Sequence, residues 1–111
     1  MPAIITPYVA PDVQHAWHLY AIQLDLSQSR ISRNEFIALL KQKNIGTSVH
    51  FIPLHLHPYY RDTFGYCPDD LPNAKSVFER IVSLPIYTKM TEADVHHVIE
   101  VVRSIVRQYH R

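Results

Sequence analysis

Glycine and cysteine are scarce in this chain, and each shortage excludes a group of functions. Only Gly46 and Gly65 occur among the 111 residues, so there is no P-loop, no dinucleotide-binding fingerprint and no Gly-x-Ser-x-Gly nucleophile elbow. Cys67 is the single cysteine, which excludes an internal disulfide and a cysteine-based zinc ribbon. Because unpaired cysteines are typical of reducing compartments, we expect a cytoplasmic protein.

Excess charge and long apolar runs are also missing. The 11 Lys and Arg residues oppose 10 Asp and Glu residues, for a formal net charge of +1, and so weak a field does not favour nucleic acid. No apolar run approaches the ~20 residues of a membrane span. The first residues lack the basic and apolar regions of a signal peptide. We therefore expect neither a nucleic-acid partner nor a membrane location.

What the chain does have is the composition of one globular domain. It is 47% hydrophobic and 19% charged, which is a typical balance for a protein with a packed core. Pro2, Pro7 and Pro11 interrupt residues 1–14, which predicts an extended arm there. The domain itself is predicted over residues 15–111.

Hydrophobic periodicity within that domain predicts strands alternating with helices. In chain order the predictions are a strand over 18–26, a helix from Ser32, a strand over 47–52, a helix from Asp70 or Asn73 to about Val82, an extended piece over 83–86 and a helix from Thr91. The helix at Ser32 begins with a capping box, and the helix at Thr91 begins with a Thr-x-x-Asp sequence. This order predicts an α/β (α+β) fold, a small sheet of about three strands with helices packed on one face.

The densest group of polar and aromatic side chains lies over residues 50–61, which read HFIPLHLHPYYR. Imidazole and phenol groups donate to phosphate and hydroxyl oxygens, and aromatic faces pack on sugar rings. The segment can therefore bind an anionic, hydroxyl-rich ligand. The alternative is a proline-rich surface loop whose aromatic side chains cover the edge of the core. Composition leaves both interpretations open.

Two histidine pairs have spacings that suit a metal. His55 and His57 alternate along an extended segment, and His15 and His18 have helical spacing in a segment predicted as arm and strand. Neither pair comes with a third ligand or a supporting carboxylate, so we predict no metal site. No catalytic set is evident, since Cys67 has no activating histidine placed by the sequence. The residues alone favour a binding domain over an enzyme.

Several stretches together resemble one enzyme family. They are, in chain order, residues 15–20 (HAWHLY), 46–61 (GTSVHFIPLHLHPYYR), 64–66 (FGY), 80–87 (RIVSLPIY) and 90–95 (MTEADV). This ordered set looks like the C-terminal region of the pyridoxal-phosphate-dependent sugar aminotransferases of the DegT/DnrJ/EryC1/StrS family. The resemblance runs from about residue 9 to residue 106. Asn44 departs from the glycine of many relatives, but asparagine tolerates the same left-handed helix end.

The resemblance implies the small domain of a fold-type I aminotransferase. Such enzymes use pyridoxal phosphate (PLP) to transfer an amino group from glutamate to a nucleotide-linked keto-deoxy sugar, for cell-surface polysaccharide or glycan precursors. On the family pattern, the sugar nucleotide is bound by His50 and the backbone of Phe51, which face it, with His55 and Tyr59 nearby. No residue of this chain is implied to be catalytic. The pattern implies that His18 lines the junction between domains.

Family members also have a large N-terminal domain that holds PLP on a lysine, and that domain has no counterpart in this sequence. We therefore expect a C-terminal piece of a longer enzyme that binds no PLP and has no activity by itself. We also expect a homo-oligomer, because the surface that faces the large domain in relatives is left open. The alternative is a stand-alone, non-catalytic binding or assembly module.

Overall fold

The secondary structure comes from a computed structural model that describes residues 3–111, so Met1 and Pro2 of the expected arm lie outside the described residues. The strands are β1 Ile4–Ile5, β2 Tyr20–Leu24 and β3 Ile81–Leu84. The helices are α1 Arg33–Gln42, α2 Pro58–Phe64, α3 Pro72–Arg80 and α4 Glu92–Tyr109. Short 3-10 turns at Leu54–Leu56 and Pro68–Asp70 flank α2.

The three strands form one antiparallel sheet in the order β1, β2, β3. Ile22 pairs with Val82 across β2 and β3. Because side chains alternate across a strand, Ile22, Leu24 and Val82 share one face, and each is at most 2% exposed. The predicted α/β fold with a sheet of about three strands is confirmed.

The core lies between this face of the sheet and the two longest helices. Phe36 and Leu40 of α1 are 0% exposed, and they pack in one cluster with Val102 and Ile105 of α4. Burying an apolar side chain of this size contributes about 1.5–3 kcal/mol. The amphipathic stripe predicted in the last helix therefore supplies one wall of the core.

The predicted capping box at Ser32 is present, and the structure has a second one at Thr91. The Ser32 hydroxyl accepts from the Glu35 amide at 3.3 Å, and the Glu35 carboxylate accepts from the Ser32 amide at 2.8 Å. Thr91 and Asp94 repeat the arrangement at the start of α4. Asn44 adopts a φ of 59° just after α1, which is the left-handed conformation expected there.

The prediction of a separate arm over 1–14 is wrong for residues 3–5. β1 pairs with β2 through Ile4 and Leu24. Ala3 is 2% exposed, and its carbonyl accepts from the Asp25 amide at 2.9 Å. A strand of two residues is too short to show an alternating pattern, which is why the sequence does not reveal it. The domain boundary at residue 14 stays a prediction.

The predicted strand over 47–52 is also wrong. This segment makes a single isolated bridge, between Ser48 and Ser83. Phe51 is 73% exposed and Ile52 is 49% exposed, so the apolar alternation here marks side chains that stay on the surface. Pro53 has no amide to donate and does not extend a ladder.

The boundary between α3 and β3 is shifted from the prediction. The helix ends at Arg80 instead of about Val82, and the extended piece is the strand Ile81–Leu84 instead of 83–86. Pairing with β2 takes residues 81–84 into the sheet. Residue 81 is therefore already extended, at a φ of −74° and a ψ of 136°.

Candidate functional site

A polar cleft of about 350 Å³ lies beside β3. Its polar lining consists of two imidazoles and three hydroxyl groups, from His18, Thr47, Ser48, His50 and Ser83. In β3, Ser83 follows the core residue Val82, so its side chain lies on the sheet face opposite the helix-covered core. The cleft therefore opens on the side of the sheet that α1 and α4 leave uncovered.

The Ser48–Ser83 bridge builds this cleft. The Ser48 amide donates to the Ser83 carbonyl at 3.1 Å, and the Ser83 amide donates to the Ser48 carbonyl at 2.8 Å. This pair of bonds holds the segment after α1 against the edge of β3. His50, two residues beyond the bridge, is thereby brought to the side chain of Ser83.

His50 is the best-defined polar group of the cleft. Its ring is half-buried, and Nδ1 lies 2.8 Å from the Ser83 Oγ. The ring also packs edge-on against Phe51, at 4.6 Å between ring centroids. Held on two sides, the imidazole has a fixed orientation beside the cleft.

Phe51 faces a second concavity on the other side of His50. An open apolar groove of about 510 Å³ runs between residues 50–54 and α3, with Val77 and Phe78 among its lining residues. Phe51 is 73% exposed, so its ring is available to pack on a planar or apolar group. The structure thus brings His50 and Phe51 together between a polar cleft and an apolar groove.

His55 lies elsewhere. It is 3% exposed, and its Nε2 is 3.2 Å from the carbonyl oxygen of Pro68. Its Nδ1 is buried and has no partner within residues 3–111. These contacts favour a role in holding together the aromatic loop, which we define as residues 53–71. A direct contact of His55 with substrate stays a prediction.

Tyr59 belongs to a surface cluster of the aromatic loop. Its ring lies 5.3 Å from Tyr60 and 6.4 Å from Phe64, both in edge-on arrangements. Tyr59 is 67% exposed and does not line the cleft beside β3. Its contact with substrate also stays a prediction.

Sequence reasoning missed Ser83 and the two hydroxyl residues that precede His50. Ser83 carries no signal of its own, because a serine in a short strand is as common on a plain surface as in a site. The sequence suggests His18 as a junction residue or as half of a metal-spaced pair with His15, yet it lines the same cleft as His50. Only the tertiary contact between the residue-48 segment and β3 assembles these groups.

The lysines do not offer an anchor for a carbonyl cofactor. Lys41, Lys43 and Lys89 are exposed. The hydrogen bond from Lys75 to the carboxylate of Asp69, at 2.6 Å, raises the pKa of Lys75. A lysine that reacts with a carbonyl needs the opposite, a lowered pKa from burial or from a neighbouring cation. The four lysines therefore do not fit the lysine that holds PLP.

Among residues 3–111, no group of three or more His, Cys, Asp and Glu side chains is placed to hold a metal ion. His55 is buried while His57 is exposed, and neither belongs to such a group. No helix in that range has both the length and the apolar character needed to cross a membrane.

The fold and the motif series match a known family. The profile of the DegT/DnrJ/EryC1/StrS aminotransferase family matches residues 1–103, and the chain belongs to this family. The spore coat polysaccharide biosynthesis protein SpsC of Bacillus subtilis (strain 168) is 52% identical over 108 residues, which cover 96% of this chain and 28% of SpsC.

Solved structures show the same likeness. Spr1654 from Streptococcus pneumoniae, in its PMP form, superposes with a TM-score of 0.83 at 27% identity, over 96% of this chain and 26% of that one. DesV of S. venezuelae, in complex with a ketimine intermediate, superposes with a TM-score of 0.81 at 30% identity. The match covers 95% of this chain and 27% of DesV. The chain therefore spans little more than a quarter of the length of these relatives.

Proposed function

We propose that this chain is the part of a sugar aminotransferase that forms one wall of its substrate cleft. The substrate is a nucleotide-linked keto-deoxy sugar, the amino donor is glutamate, and the product serves polysaccharide or glycan synthesis. Family membership supports the amino transfer, and the name of SpsC supports the link to polysaccharides. In such an enzyme PLP accepts and delivers the amino group.

The exposure of Lys41, Lys43 and Lys89 and the raised pKa of Lys75 support a PLP site outside this chain. We therefore propose that the rest of a longer protein holds PLP and that the chain by itself neither binds PLP nor transfers amino groups. Incubation with PLP, reduction with borohydride and mass spectrometry test this. Stoichiometric labelling of one lysine would refute it. An in-frame cofactor domain encoded upstream would exclude the alternative of a stand-alone binding module.

The observation that carries the substrate proposal is His50 at the polar cleft, backed by Ser83. A ring nitrogen that donates a hydrogen bond suits the oxygen atoms of a diphosphate or of sugar hydroxyl groups. Phe51 stands beside it with an exposed face, which suits a sugar ring or a base. The His50 ring does not resemble a proton-transfer site, because its hydrogen-bond partner within residues 3–111 is the Ser83 hydroxyl and not a carboxylate.

A chimera tests the role of His50. This chain would replace the matching segment of a full-length family member, and His50→Ala would be compared with His57→Ala, an exposed histidine outside the cleft. We expect His50→Ala to raise KM for the sugar nucleotide, with a loss of about 1.5–3 kcal/mol if a charged hydrogen bond is removed. The half-reaction with glutamate should stay unchanged. Failure of that half-reaction would place His50 in the catalytic machinery instead.

We further propose a cytoplasmic homo-oligomer. Cys67 is a free, exposed thiol, which suits a reducing compartment. Tyr8 is 85% exposed, and Phe51 and Tyr59 are also largely exposed. Apolar surface of this kind commonly marks an interface. Sedimentation of the isolated chain at micromolar concentration should show a dimer or larger species, and a single species near 13.0 kDa would contradict the proposal.

A further inference from the structure

The hydroxyl of Ser83 is buried and is directed at one partner. Ser83 is 4% exposed. Its amide and carbonyl are both used by Ser48, so the side chain is held at a fixed point of β3. Within residues 3–111, the Ser83 Oγ has a single hydrogen-bond partner, the Nδ1 of His50 at 2.8 Å. A buried hydroxyl needs an acceptor for its hydrogen, and the neutral imidazole supplies one.

We propose that Ser83 is a positioning residue for His50, with its hydroxyl donating to Nδ1. In this arrangement the neutral ring carries its proton on Nε2. In the opposite arrangement Nδ1 would donate to Oγ, and the serine hydrogen would have no acceptor among the described residues. The first arrangement satisfies both groups.

The consequence for recognition rests on the proposed function. A ring protonated at Nε2 presents an N–H donor at the free end of the imidazole, which suits phosphate and hydroxyl oxygens. A ring protonated at Nδ1 would present a lone pair there, which would repel phosphate oxygens and could only accept from a sugar hydroxyl. Ser83 thereby makes His50 a donor of defined orientation before any ligand arrives, which reduces the ordering that binding requires.

The test of the hydrogen bond uses the 111-residue chain and needs no substrate. Long-range proton–nitrogen NMR spectra of the neutral His50 ring should show a proton on Nε2 and an accepting Nδ1. In Ser83→Ala, the Nδ1 resonance should shift, and the order parameter of the ring should fall toward that of a flexible side chain, below about 0.6. Ser83→Thr, which retains the hydroxyl, should resemble the unmodified chain, and so should Ser48→Ala, which retains the backbone bridge.

Two outcomes would overturn the proposal. One is a proton on Nδ1 in the unmodified chain, and the other is a Ser83→Ala variant in which the Nδ1 resonance and the order parameter of the His50 ring are both unchanged. Slow hydrogen exchange of the amides at positions 48 and 83, which form the bridge, shows that β3 is intact in the variants. If Ser83→Ala loses this protection, Ser83→Thr and the tautomer of the unmodified chain still decide the question.

A kinetic cycle in the full-length chimera separates this proposal from the proposed function. Ser83→Ala should raise KM for the sugar nucleotide about two- to tenfold and should have no further effect in a chain that already carries His50→Ala. Additive effects would contradict positioning through His50. If His50→Ala itself leaves KM unchanged, the proposed function fails while the NMR result for Ser83 still stands.

Discussion

The sheet-and-helix core and the aromatic loop both contain phenylalanine and leucine, but these side chains are mostly buried in the core and mostly exposed in the loop. In the core, formed by β2, β3, α1 and α4, Phe36 is 0% exposed. In the aromatic loop, Phe64 is 61% exposed and Leu54 is 66% exposed, while His55 is the buried side chain. The core has apolar residues at helical or alternating spacing, and the loop has them in irregular order. Between these two regions, periodicity distinguishes the packed core from the exposed loop better than apolar content does.

The largest expected change in the free energy of unfolding comes from comparing a phenylalanine-to-alanine substitution in each region. Phe36→Ala should lower the free energy of unfolding by about 3–5 kcal/mol, because it leaves a cavity among packed side chains. Phe64→Ala removes a largely exposed ring and should cost under about 1 kcal/mol. Urea denaturation followed by circular dichroism measures both. Equal losses would mean that the aromatic loop is packed as tightly as the core.

The next largest effect is expected from His55, whose contact with Pro68 stabilises the aromatic loop. His55→Ala removes the bond to the Pro68 carbonyl and should destabilise residues 53–71 by about 1–3 kcal/mol. Amide hydrogen exchange should accelerate in the loop and stay slow in α1 and α4. His57→Ala, at an exposed neighbour, is the control. Faster exchange across the whole chain would show that the loop and the core unfold as one unit.

Removing the N-cap of α4, one of the helices that form the core, should lower the free energy of unfolding by a smaller amount. Thr91→Ala removes the hydroxyl that accepts from the Asp94 amide at 3.2 Å and should cost about 1 kcal/mol. The free energy of unfolding reports the loss. Thr88→Ala, in the turn before α4, is a matched control. A loss as small as that of the control would show that the cap adds nothing to the packing of α4.

The smallest effect is a dependence on pH at the same cap. Hydrogen bonds from the Thr91 hydroxyl and amide lower the pKa of Asp94 from its ordinary value of 3.8. A carboxyl whose pKa is depressed by folding stabilises the protein above its unfolded pKa, and that contribution is lost as the pH falls through the folded pKa. Asp94→Asn should therefore flatten the decline in stability below about pH 4, relative to Asp12→Asn in the exposed N-terminal segment. An unchanged acid profile would contradict this.

Local sequence determined the features that depend on a few neighbouring residues. The capping boxes at Ser32 and Thr91 need a hydroxyl and a carboxylate three positions apart, and the left-handed conformation of Asn44 needs only its own side chain. The amphipathic stripe of α4 is visible because its period is that of the helix. The ordered motifs also placed the chain in its family, because they span most of its length.

Tertiary structure alone decided which extended segments pair and which polar groups meet. The two-residue β1 is part of the sheet, whereas residues 47–52 form only an isolated bridge. Strand pairing depends on which segments, distant in sequence, lie side by side in the folded chain. Ser83 reaches His50 across 33 positions, and no local pattern encodes that contact. His55 and His57 have the same side chain and differ in burial, and the buried His55 lies against the carbonyl of Pro68, 13 positions away. Contacts of long range assemble the cleft, and a single sequence holds no period or spacing that records them.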